Sequence, residues 1–159
     1  MPDFIFDASV LSNFALTGSI DILRTQYSDR SFITDHIRME ILRGIRSGHD
    51  ALDSILEATA EGWLKETALQ TAEERSSFEK LSESLGLGES SCIAIAYSRG
   101  LIFACDDRTA RREAERLGIL LTGTLGILKK AVVRKVIDIR GGDALLNKMK
   151  SLREIGFSR

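Results

Sequence analysis

The sequence has 159 residues, 43% hydrophobic and 28% charged, with 22 Lys/Arg against 23 Asp/Glu and a net charge of −1. That composition is the one of an ordinary globular chain long enough to bury a sizeable core, and no membrane partner is expected, since no apolar run approaches the roughly 20 residues that cross a bilayer. The first residues, MPDFIFD, lack a basic stretch followed by an apolar one, and Cys92 and Cys105 both sit inside apolar runs, so a secretory leader and a disulfide are not expected and a reducing cytoplasm is.

In chain order, DFIF (3–6) is a short apolar run of the kind that forms a strand buried on both faces. VLSNFAL and SIDILRTQY predict one or two short helices broken at Gly18, and RSFIT predicts a second strand. DHIRMEILRGIRSG is amphipathic, with Ile37, Ile41 and Ile45 at helical spacing, and HDALDSILEATAEG repeats the pattern. GWLKETA is a third strand, and TAEERSSFEKLSESLG a polar outer helix running to Gly86. GESSCIAIAYSRG is apolar nearly all round, hence a helix buried between layers. LIFAC and ILLT are the fourth and fifth strands, each followed by a helix, DRTARREAERLG and GTLGILKKAVVRKV. A last helix is expected at about 143–157. From Lys129 onward nine Lys/Arg face three acids, a basic end of about +6 on an acidic body, which suits an anionic partner.

Strands alternating with helices predict a three-layer α/β/α sandwich with a central, mainly parallel sheet of about five strands, in one domain over 1–159. DFIF and LIFAC should lie centrally, and both end in aspartate. Ligands collect outside the carboxyl ends of such strands, where strand order reverses, which puts Asp7 and the Asp106–Asp107 pair at the mouth of a site. Glu89 opens the buried helix on its apolar face, and Glu40 flanks the isoleucine stripe of its own helix. Each acid alone has an ordinary role as cap or helix-end charge. Gathered together they would raise each other's pKa, and a hard divalent cation resolves that repulsion. With only two histidines and no zinc-like spacing, oxygen ligands point to Mg²⁺ or Mn²⁺.

The ordered set FDASVLSNF, RMEILRG, LGLGESSCIAIAYSRG, IFACDDRTARREAERLG and LLTGTLGIL resembles the PIN-domain family over about residues 3–135, most closely its compact prokaryotic members, some of which are toxins of toxin–antitoxin pairs. The resemblance implies a metal-dependent endoribonuclease that hydrolyses RNA with a metal-activated water and leaves 3′-hydroxyl and 5′-phosphate ends. It matches Asp7, Glu40, Glu89 and Asp107 to the catalytic acids, with Asp7, Glu89, Asp106 and Asp107 as metal ligands and Ser9 beside the first. Where many relatives carry Thr or Ser before the fourth acid, this chain has Cys105 and Asp106, which leaves the choice between Asp106 and Asp107 open. Arg108, Arg111 and Arg112, with the hydroxyls of Ser9, Thr122 and Thr124, are the expected substrate contacts. An antitoxin partner and a homodimer are further implications, and a PIN-like binding module without turnover is the alternative. A phosphatase would want a second aspartate where Ser9 stands, and a phosphorelay receiver a lysine that ILLT lacks.

Overall fold

A computed structural model describes residues 2–154, with side chains through Leu152. Its frame is a five-stranded sheet in the order β3-β2-β1-β4-β5. The strands are β1 (Phe4–Phe6), β2 (Ser31–Thr34), β3 (Leu64–Thr67), β4 (Ile102–Ala104) and β5 (Leu121–Thr122), and every neighbouring pair is parallel. All three β1 residues are buried although successive side chains point to opposite faces, so helices cover the sheet on both sides. This is the expected sandwich, with DFIF in the middle strand and LIFAC beside it.

The helices are α1 (Ala8–Leu16), α2 (Ile20–Tyr27), α3 (Asp35–Arg46), α4 (Asp53–Glu61), α5 (Ala72–Leu81), α6 (Leu87–Arg99), α7 (Arg108–Arg116), α8 (Thr124–Val133) and α9 (Ile139–Glu154). A single 3₁₀ turn, Asp50–Leu52, precedes α4. Gly18, at φ +67°, separates α1 from α2 as its position in the sequence suggests.

Four boundaries differ from expectation by three residues or more: α4 starts at Asp53, four residues after His49, and α8 stops at Val133, three before Val136, besides the ends of α5 and α9. α5 stops at Leu81, five residues before Gly86, where Ser84 and Leu85 N–H both donate back to the Leu81 carbonyl in a turn. It is also not simply an outer helix: it lies against α6, and Glu74, 1% exposed, binds Arg99 there. α9 begins at Ile139, four residues before the expected start. The Asp138 carboxylate accepts from Gly141 N–H at 2.7 Å as an N-terminal cap, and the helix starts there with two glycines in its first turn. Residues 155–157 of that expected helix lie outside the described residues.

β1 is where the strand order reverses. From it the chain moves to one side for β2 and β3, then returns to the other for β4 and β5. The carboxyl ends of β1 and β4, held together by Asp7 N–H on the Ala104 carbonyl at 2.9 Å, flank the crevice this creates.

Candidate metal centre

Asp7 is the first residue past β1 and the N-cap of α1. Its carboxylate accepts from Ser9 N–H at 3.3 Å and Ser9 Oγ at 2.6 Å, and the Cys105 thiol donates to it at 3.5 Å. Only 3% exposed, the carboxyl has its pKa raised by burial, while the Ser9 bonds pull the other way. Glu89 stands in the first turn of α6. Burial first, then the charges of Asp7 and Asp107, push its carboxyl up to about 7. Glu40, on the face of α3 turned to the crevice, is pushed up to about 6 by burial and then by Asp7, with Arg43 and Gly88 N–H opposing. Asp107 caps α7 by accepting from Ala110 N–H at 2.9 Å.

All four acids line one cleft of about 640 Å³ together with Ser9, Arg43, Gly44, Ser47 and His49. They arrive there from four separate helices or helix starts, which is why no local run of the sequence displays them side by side.

Asp106 points elsewhere. Its carboxylate accepts from Thr124 N–H at 2.8 Å, from the Thr124 hydroxyl, and from Asn13 Nδ2 at 2.9 Å, so it ties α1 and the start of α8 to the end of β4. Its own N–H donates to Ser9 Oγ at 3.2 Å, and Ser9 in turn donates to Asp7. The adjacent aspartates thus separate, one toward the cleft and one toward α8. Arg111 Nη1 donates to the carbonyls of Cys105 at 2.6 Å and Thr122 at 2.9 Å, holding β4 and β5 ends together. Arg108 and Arg112 border a different depression with Asp106 and Glu115. Thr122 closes β5, and Thr124 is buried against Asp106.

Three contributors escaped the sequence reading. Asn13 sits one helical turn after Ser9 on the same face of α1, a spacing that could have flagged it. Gly88 gives Glu40 its place: a Cβ there would lie 2.1 Å from Glu40 Oε1. Nothing in the local sequence signals that contact. Cys105 Sγ lies with one oxygen each of Asp7 and Glu89 in a group whose donor atoms are all within 4.8 Å of one another. The donor chemistry fits a divalent cation. Carboxylate oxygens dominate it, and their mutual repulsion is what such an ion relieves.

The model of the family described as DUF3368, PIN domain, matches residues 3–157. The chain belongs to the PIN-domain family. The match takes in α9, which the resemblance over 3–135 had left as an addition. PIN domains are generally metal-dependent nucleases. Among solved structures, the fold is similar to that of VapBC2 from Rickettsia felis bound to a DNA fragment from their promoter, at 10% identity and TM-score 0.50 over 76% of this chain and 97% of that one. It is also similar to PAE2754 from Pyrobaculum aerophilum, at 17% identity and TM-score 0.50 over 74% of this chain and 97% of that one. No curated protein matches. Among the described residues no helix is long and apolar enough to cross a membrane.

Proposed function

We propose that this PIN domain is a Mg²⁺- or Mn²⁺-dependent endoribonuclease of the cytoplasm and the toxin half of a toxin–antitoxin pair. The observation that carries the reading is the meeting of Asp7, Glu40, Glu89 and Asp107 in one cleft at the strand-order reversal. Asp7, Glu89 and Asp107 are the ligands that would hold the ion. When bound, it neutralises charge developing on a phosphate and lowers the pKa of water, the two needs of phosphodiester hydrolysis.

The chain's own groups do the rest. Ser9 and the Cys105 thiol fix the orientation of the Asp7 carboxylate, which lines the cleft. Glu40, half-buried with its carboxyl up to about 6, is tuned to take a proton from the attacking water near neutral pH. Asp106 holds the frame from outside by anchoring α8 and α1. The fold shared with VapBC2 supports an antitoxin chain as partner.

The test is cleavage of single-stranded RNA in Mn²⁺. Wild type cuts it, excess chelator stops the reaction, and Asp7→Asn lowers the rate at least a hundredfold with an unchanged melting transition. Cutting that survives chelator or Asp7→Asn contradicts the reading. Metal binding without cleavage of any RNA would favour a PIN-like binding module.

A further inference from the structure

The cleft is wider than its acids require. At about 640 Å³ it falls in the range of small-molecule sites, about 300–1,000 Å³, with room for a nucleotide beside the carboxylates. Beyond the acids the lining continues from Glu40 one helical turn along α3 to Arg43 and Gly44, and then to Ser47 and His49 in the turn that follows the helix.

Two glycines shape that part of the lining. A Cβ on Gly44 would lie 2.6 Å from Leu52 Cδ1, so its absence lets the 3₁₀ turn settle directly on α3. Gly48, at φ +103°, reverses the chain, and His49 N–H then donates to the Gly44 carbonyl at 3.1 Å. The segment folds back over the helix end and brings Ser47 and His49 to the cleft beside Arg43.

A polyanion entering a cleft of four carboxylates needs a fixed positive charge inside it. Among the residues lining the cleft, Arg43 is the one Lys or Arg, and its charge already reaches Glu40. Arg111 is engaged with backbone carbonyls, and Arg108 and Arg112 border the separate depression.

We propose that Arg43, Ser47 and His49 form a phosphate subsite that holds a phosphodiester flanking the scissile bond of a single-stranded polynucleotide. This rests on the nuclease reading above. The guanidinium fork matches two phosphate oxygens, and the hydroxyl and imidazole add single hydrogen bonds. Backbone contacts of this kind position a strand without reading its bases, so the subsite is indifferent to sequence.

The test measures anisotropy of a short fluorescein-labelled RNA in Ca²⁺ across a salt series, alongside Mn²⁺ binding and melting temperature. Arg43→Ala should weaken RNA binding about tenfold. It should also lower the slope of log affinity against log salt by about 0.7, the value for one phosphate contact on a single strand. Mn²⁺ affinity and melting temperature should not fall. Arg43→Lys should recover the salt slope but only part of the affinity, and His49→Ala should give a smaller loss. RNA affinity and slope equal to wild type in both Arg43→Ala and His49→Ala would overturn the subsite while leaving the nuclease intact. A wild type that neither binds nor cuts RNA would overturn both.

Discussion

At the scale of single residues, the centre depends on small groups as much as on acids. Gly88 shows this most sharply. An alanine there would drive its Cβ to 2.1 Å from Glu40 Oε1 and 2.7 Å from Ile37 Cδ1, and Glu40, the more flexible of the two, must leave. Gly88→Ala is therefore expected to keep the fold, since alanine favours a helix over glycine by roughly 0.5–1 kcal/mol, while cleavage falls about a hundredfold, as misplacing a catalytic group by about 1 Å does. Thermal melting beside an RNA-cleavage rate separates the two effects; full activity in the variant would mean that Glu40 has no part in the reaction. Asp7, Glu89 and Asp107 were legible in the sequence because each lies at a strand end or helix start, where parallel α/β sheets gather ligands. The divergence of Asp106 from Asp107 was not. It depends on Thr124 and Asn13, the latter 93 residues away, and on Gly123, where a Cβ would lie 2.7 Å from Asp106 Oδ1.

At the scale of elements, apolar runs foretold the central strands β1 and β4 and the buried α6, because strands covered on both faces need uninterrupted hydrophobic residues, while β3 (LKET) at the sheet edge leaves Lys65 and Glu66 exposed. The shortfalls are at helix ends, set by local hydrogen bonds: the turn closed on the Leu81 carbonyl after α5 and the Asp138 cap of α9. The α5–α6 pairing was hidden by the polar surface of α5. Its buried acid, Glu74, receives Arg99 Nε at 2.9 Å, and the same guanidinium reaches the Thr67 hydroxyl at 2.7 Å and the Ala68 carbonyl at 2.8 Å. The Arg99 bond holds the Glu74 carboxyl down to about 2. A carboxyl whose folded pKa is depressed stabilises the fold above its unfolded value and ceases to do so as pH falls through the folded one. The melting temperature should therefore drop more steeply between pH 5 and 2 in wild type than in Glu74→Gln. Arg99→Met, which leaves the buried carboxylate without its cation, should cost about 3–5 kcal/mol in denaturant unfolding at neutral pH. Parallel pH curves and a negligible Arg99→Met loss would show that this pair does not join α5 to α6.

At the scale of the whole molecule, the sheet brings distant acids to one crevice, and α8 and α9 leave an apolar groove at the surface. Val133 is 81% and Ile139 69% exposed, and both border an apolar groove between α8 and α9 with Leu125 and Leu146. That surface supports the homodimer expected of a compact PIN chain, and light scattering at micromolar concentration should give twice the chain's 17.6 kDa; a monomer would contradict it. Asp7 and Glu89, 82 residues apart in sequence, are expected to share one divalent ion. The direct measurement is Mn²⁺ titration of the chelator-stripped protein, followed by loss of the free-ion electron paramagnetic resonance signal. Wild type should take up Mn²⁺, and Asp7→Asn and Glu89→Gln should each weaken uptake at least tenfold. Mn²⁺ affinity unchanged by both substitutions would contradict the account.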